Sequence, residues 1–269
     1  MTETFKLNIG SAEFAVERAG KGKPLIFLHA GVVDRRMWRY QIAKLSDSYQ
    51  RVAYSRRGFD ETITADEAFS HVEDLRKILD KLEISTVSLV GCSQGGRIAI
   101  DFTLAYPQRV NKLVLISTAV SGAPEPETFA PEIQVRMDAL EEAEEINDLA
   151  SVNEIEANLW LDGATSAKGR VSRALRELFL DMNGIALRMP ELTQEIEPNN
   201  AYGRLAQLSL PVFVIWGELD FEHIKERCKY IVDTIPDACG EEIPGTAHLP
   251  NLEKPEIINK LLGEFLNEN

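Results

Sequence analysis

The sequence predicts an α/β fold: a doubly wound, mostly parallel sheet with an inserted helical cap. Three observations predict it. Short apolar or β-branched runs alternate with helix-length amphipathic stretches through the first half of the chain, the pattern of strands joined by crossover helices. Several of those runs are almost continuously apolar, as strands are when helices cover both faces of the sheet. Between about Ala119 and Gln207 the strand pattern stops, and apolar residues recur at helical spacing instead.

Taken in order, Phe5 to Ile9 and Glu13 to Glu17 read as a hairpin pair, followed by the apolar strand Pro24 to His29. Further strands are expected at Arg51 to Ser55, Thr86 to Val90, Lys112 to Ser117 and Pro211 to Trp216, with one more ahead of the C-terminal loop. A helix is expected over Ala65 to Leu82, where Val72, Leu75, Ile78, Leu79 and Leu82 share one face. In the strand-free block, Ile133, Met137 and Leu140 form one helical stripe. Ser151 and Glu154 resemble a capping box opening a second helix with Ile155 and Leu159. Val171, Leu175, Leu178, Phe179 and Met182 form a third stripe. The expected organisation is therefore a core of residues 1–118 and 208–269, with 119–207 inserted as the cap.

Composition narrows the function classes. The 269 residues are 44% hydrophobic and 27% charged, ordinary values for a soluble globular domain. No apolar run approaches the roughly 20 residues of a membrane span, and the first residues lack the features of a secretory signal. A cytoplasmic protein without a membrane partner is expected. The net charge of −14 repels phosphate backbones, which argues against nucleic acid as a partner. Three cysteines without C-x-x-C spacing argue against a disulfide framework or a structural zinc site. Nothing in the sequence indicates an oligomeric state.

The chemistry concentrates on Gly91-Cys92-Ser93-Gln94-Gly95. A Gly-x-Ser-x-Gly match is weak by itself, but this one directly follows the strand Thr86 to Val90 and precedes the helix-like run Arg97 to Phe102. A serine on such a strand-to-helix turn has a strained backbone, with glycines relieving the crowding around it. Its hydroxyl projects beside amides at the helix start that can stabilise negative charge.

With these residues the chain resembles the α/β-hydrolase superfamily over nearly its whole length, which implies an eight-stranded sheet of the α/β-hydrolase fold. Leu28-His29-Ala30-Gly31 is similar to the family's oxyanion loop, with Ala30 where a glycine is usual. The resemblance implies backbone amides of Gly31 and Gln94 as the oxyanion hole, with Val32 as the alternative to Gly31, and His29 as a structural loop histidine. Chain order in the family, serine then acid then histidine, leaves His223 and His248 as bases. His248, in Gly245-Thr246-Ala247-His248-Leu249-Pro250 with Glu253-Lys254-Pro255 beyond, resembles the family's histidine loop. Gly217-Glu218-Leu219-Asp220 resembles its acid turn, implying Asp220, with Glu218 as the competitor. Arg57 in the Arg-Arg-Gly run after the fourth strand reads as structural, and Cys92 as a small apolar filler.

The implied mechanism is two-step acyl transfer. His248, oriented by Asp220, deprotonates Ser93 for attack and then activates water against the acyl-enzyme. It calls for no metal, nucleotide or organic cofactor. The expected substrate is a small-molecule carboxylic ester or lactone, with substrate-binding residues unassigned. The enzymatic alternative is carbon–carbon hydrolysis of a dienoate-like acid, which would need a cationic anchor among Arg35, Arg36, Arg97, Arg170 and Arg173. The non-enzymatic alternative is a ligand sensor that keeps the triad and signals through a partner, for which the acidic segment Glu141 to Glu145 is a possible surface.

Overall fold

The structure, a computed structural model, describes residues 2–45 and 48–267. Among them, eight strands form one sheet in the order β1-β2-β4-β3-β5-β6-β7-β8. They are β1 (Thr2–Ile9), β2 (Ala12–Ala19), β3 (Lys23–Leu28), β4 (Tyr49–Tyr54), β5 (Val87–Cys92), β6 (Val110–Ile116), β7 (Val212–Gly217) and β8 (Ala238–Ile243). The β1–β2 and β2–β4 pairs are antiparallel, and every pair from β4 to β8 is parallel. The expected mostly parallel, eight-stranded α/β sheet is therefore the observed one.

Side-chain parity along the strands builds two cores. Ile26, Leu28, Leu89, Leu113, Leu115, Val212 and Val214 face one way, against α2 (His71–Lys81), α3 (Gln94–Ala105) and α7 (Glu222–Thr234). Leu25, Phe27, Val90, Cys92, Val114, Ile116, Phe213 and Ile215 face the other, against α1 (Arg39–Lys44) and the C-terminal α9 (Pro255–Asn267). Burial of both faces explains why these strands read as continuous apolar runs. Trp38, just ahead of α1, is fully buried with its ring 5.1 Å from that of Phe27.

Between β6 and β7 the chain forms α4 (Pro131–Glu145), α5 (Leu149–Glu156) and α6 (Arg173–Ala186). The expected stripes bury Ile133, Leu140, Leu175, Phe179 and Met182. Two local expectations need correction. The helix expected from Ala65 begins only at His71, because the preceding residues are drawn off by the 193–196 segment. Asp66 accepts hydrogen bonds from Thr193, and Phe69 exchanges backbone bonds with Gln194 and Ile196. Nor do Ser151 and Glu154 make a capping box. The N-cap of α5 is Asp148, whose carboxylate accepts from Ser151 N at 3.2 Å, while Glu154 pairs with Arg176 and Lys168. An Asp three residues upstream is the better cap, since its carboxylate receives both the backbone N–H and the hydroxyl of Ser151.

Candidate active site

Three chain segments meet at the C-terminal ends of the parallel strands. Ser93 follows β5 directly, with φ 52° and ψ −117°, a conformation costly for a residue with a side chain. Its surroundings hold it there. Ser93 N donates to Ile116 O at 2.9 Å, and Ser93 O accepts from Gly96 N, Arg97 N and Ala119 N at 2.9–3.1 Å. The crowding that excludes larger neighbours is explicit at Gly95, where a Cβ would stand 2.8 Å from His29 O and closer still to the Leu28 carbonyl. The serine thus begins α3, where the first N–H groups have no intrahelical acceptor.

Asp220 lies in the turn after β7 and His248 in the loop after β8. His248 Nδ1 stands 2.9 and 3.1 Å from the two carboxylate oxygens of Asp220, with both residues buried. Asp220 Oδ1 also accepts from Phe221 N at 2.8 Å, which fixes the carboxylate plane. A carboxylate at Nδ1 places the proton there and leaves Nε2 as the basic nitrogen. Glu218 is committed elsewhere, accepting from Gly245 N at 2.7 Å and so tying the acid turn to the histidine loop. His223 packs against Phe129 and Phe221 and faces Glu125 at 3.9 Å; burial lowers its pKa below the usual histidine range.

The serine turn abuts the histidine loop, since Cys92 Sγ lies 3.8 Å from His248 O. Burial pushes the Cys92 thiol well above its usual pKa, so it is an unreactive filler. Among the described residues no hydrogen bond joins Ser93 Oγ to His248. Catalytic contacts of this kind are commonly long before substrate binds.

Gly31 and Gln94 are brought together, a Cβ on Gly31 standing only 2.9 Å from Gln94 Cδ. Behind them, His29 Nε2 accepts from Arg56 N at 2.9 Å and Nδ1 donates to Ala30 O at 2.7 Å. His29 is therefore held within the loop as a neutral ring, its pKa lowered well below the usual range by burial and by Arg56. Arg57 is bound by Asp74 at 2.8 and 3.2 Å, anchoring its loop to α2.

Three features gain contacts that the sequence alone does not settle. Arg56, next to the singled-out Arg57, is buried and reaches both Gln94 Oε1 and Ala30 O. Glu253 accepts from Ala247 N at 2.7 Å and pairs with Arg170 at 2.6 Å, bracing the histidine loop against the helical segment. Trp160 lies in a π-helical turn, Ala157–Asp162, that extends α5, and its ring stands 4.8 Å from those of His248 and Phe221. A doubled arginine before glycine, an acid in Glu-x-Pro and a lone tryptophan were visible, but only three-dimensional contact distinguishes them.

The family model for the alpha/beta hydrolase fold matches residues 23–255, most of the chain and all three segments of the site. The chain belongs to the α/β-hydrolase family. Its curated relatives include the AB hydrolase superfamily protein YisY of Bacillus subtilis, 26% identical over 94% of each chain. Another is the 2-hydroxy-6-oxo-6-(2'-aminophenyl)hexa-2,4-dienoic acid hydrolase of Metapseudomonas resinovorans, 25% identical over 97% of this chain and 90% of that one. Among solved structures, a thermophilic esterase from Thermogutta terrifontis superposes with a TM-score of 0.77 over 98% of both chains, at 24% identity. No described helix of this hydrolase is long and apolar enough to cross a membrane.

Proposed function

We propose that this α/β-hydrolase is a serine hydrolase cleaving a small-molecule carboxylic ester or lactone, with Ser93 as nucleophile, His248 as base and Asp220 as its orienting acid. The observation that carries this reading is the buried Asp220–His248 pair set behind the strained serine turn. Ser93 Oγ attacks the carbonyl carbon as His248 Nε2 takes its proton, and the Gly31 and Gln94 amides receive the oxyanion. His248 returns the proton to the leaving alkoxide, then activates water to release the acid and regenerate Ser93. Residues 119–207 act as a cap that brings Trp160 over the base. Location in the cytoplasm and action on a small molecule, without a nucleic-acid or membrane partner, belong to the same reading.

Carbon–carbon hydrolysis of a dienoate is the second reading, favoured by the name of the Metapseudomonas relative. The five arginines considered above as anchors for a substrate carboxylate already face carboxylates: Arg35 with Asp60, Arg36 with Asp34, Arg97 with Glu195, Arg170 with Glu253 and Arg173 with Glu177. This supports the ester reading.

An alkyl fluorophosphonate followed by peptide mapping tests the assignment. Labelling is expected on Ser93 and absent in Ser93→Ala; labelling of another residue, or of the variant, would falsify it. A panel of p-nitrophenyl esters, lactones and 2-hydroxy-6-oxo-dienoates then ranks the bond types. Repeated turnover of esters excludes a single-cycle ligand sensor, and faster dienoate cleavage selects the second reading.

A further inference from the structure

The side chain of Arg56 is a buried charge that the proposed mechanism leaves unused. It is 1% exposed, and among the described residues no carboxylate lies within ion-pair distance of it. Its neighbours contrast with it, since Arg57 is paired with Asp74 and Arg97 with Glu195. Burial lowers the Arg56 pKa to about 10, which leaves the guanidinium charged at neutral pH. Glu195, held in direct contact by Arg97, acts on this charge only from beyond ion-pair distance, and a buried cation without a carboxylate in contact is expensive, so its contacts should reveal what it does.

The guanidinium makes two hydrogen bonds and one ring contact. Nη2 donates to Ala30 O at 3.2 Å and Nη1 to Gln94 Oε1 at 3.1 Å, with the Phe59 ring 4.7 Å from the guanidinium carbon. Ala30 O belongs to the same peptide unit as Gly31 N–H. With that peptide trans, the two point in opposite directions. The carbonyl is gripped from behind by Arg56 Nη2 and by His29 Nδ1, whose tautomer is in turn fixed by Arg56 N. Two donors on a peptide oxygen fix the plane of the peptide and polarise its N–H, which strengthens it as a donor. The second hand of the fork holds Gln94, the residue that supplies the other amide.

We propose that Arg56 is a positioning residue of the oxyanion site, aligning and polarising the Ala30–Gly31 peptide while clamping Gln94, so that both amides converge on one point. This rests on the assignment of Gly31 and Gln94 above. Arg56 touches no substrate. Its effect falls on the transition state, where the negative charge develops, and hardly at all on substrate binding.

Arg56→Met and Arg56→Lys, assayed with a p-nitrophenyl ester and with an arylboronic acid as a tetrahedral analogue, test it. Removing a direct oxyanion donor costs roughly 10²–10³ in kcat, so loss of a group acting through the peptide should cost about 10- to 100-fold. KM should stay within about twofold, because uniform binding is untouched. The boronic acid should weaken by the same factor as kcat. Arg56→Lys keeps the charge without the planar fork and should lose several-fold in kcat with the same selectivity. A wild-type kcat in either folded variant, or a loss confined to KM, overturns the proposal; if Arg56→Met does not fold, Arg56→Lys decides. Failure of fluorophosphonate to label Ser93 in the wild type would instead remove the underlying reading.

Discussion

Adding one methyl group at Gly95 should disable the site without touching any reacting group. A Cβ there would lie 2.5 Å from the Leu28 carbonyl carbon and 2.8 Å from His29 O. Carbon atoms pack at about 3.5 Å, so the start of α3 and the end of β3 would have to separate by about 1 Å. Neither side yields easily. The helix start is pinned by three hydrogen bonds to Ser93 O, and β3 is paired on both sides, with β4 and β5. Overpacking of this kind costs typically 1–3 kcal/mol, and a backbone clash between two pinned elements belongs at or above the top of that range, about 3 kcal/mol. The same 1 Å separates Gly31, on the loop after β3, from Gln94, and misplacement by that distance costs on the order of 10²-fold in rate. Gly95→Ala should therefore melt several degrees lower and lose about 10²-fold in kcat on a p-nitrophenyl ester. Gly263→Ala is the control. It lies in α9 with no atom near its added Cβ, and should gain about 0.5–1 kcal/mol with unchanged kcat. Wild-type kcat in Gly95→Ala would refute the reasoning, because the turn and the loop could then separate without consequence.

Two further outcomes follow. Asp220→Asn should lower kcat by about 10³- to 10⁴-fold at neutral pH by disturbing the imidazole tautomer, whereas Glu218→Gln, which alters only the bond to Gly245 N, should cost far less; the reverse ranking in steady-state assays would move the acid to Glu218. Burial raises the Asp101 carboxyl from 3.8 to about 6 against the opposing Ser121 hydrogen bond and the charges of Arg97 and Arg204. The folded state therefore holds that proton more tightly than the unfolded chain, so the stability it contributes is complete below about pH 4 and lost as pH rises through about 6. Two pKa units correspond to about 3 kcal/mol as an upper bound, and Asp101→Asn should progressively outperform wild type in urea unfolding between pH 4 and pH 8. Parallel stability profiles for the two proteins would count against a raised Asp101.

Legibility in the sequence followed the range of the forces involved. Strands such as Pro24 to His29 and Pro211 to Trp216 announced themselves because burial on both sheet faces acts on every residue of the run. The strand-turn-helix around Ser93 was equally local, its glycines responding to clashes within a few residues or with the neighbouring strand. The start of α2 is not legible because periodicity around Ala65 competes with bonds from Asp66 and Phe69 to a segment over 120 residues away. The cap of α5 was misjudged because a serine followed three residues later by glutamate fits the motif, but Glu154 answers to Arg176. Arg56 illustrates the deeper limit. Its sequence context is that of Arg57, and only the fold separates the arginine with a carboxylate from the one without.

The choice between ester and carbon–carbon substrates turns on what it would take to free an anchor for a substrate carboxylate. Arg170 is the arginine of the helical segment tied to the histidine loop, and it is engaged four ways: with Glu253 at 2.6 Å, with Gly245 O at 3.1 Å, with Leu161 O at 2.9 Å and, through Nε, with Asp162 O. Glu253 is 5% exposed in its side chain, and its other oxygen holds Ala247 N, one residue from His248. Withdrawing Arg170 to meet a substrate would leave that carboxylate buried and unpaired, at a cost of about 3–5 kcal/mol. It would also loosen the loop that presents His248. A substrate carboxylate would have to recover the whole of that loss merely to break even, a factor of roughly 10²–10⁴ in affinity. Arg36 is similarly bound, by the fully buried Asp34 at 2.7 Å and by Asp181 at 2.6 Å. The pair of Arg173 with Glu177 is the most weakly held, but at 91% side-chain exposure Arg173 lies in solvent, away from any enclosed pocket. A neutral carbonyl compound asks none of these pairs to open. The same ionic ties that brace His248 therefore favour an uncharged ester or lactone over a dienoate.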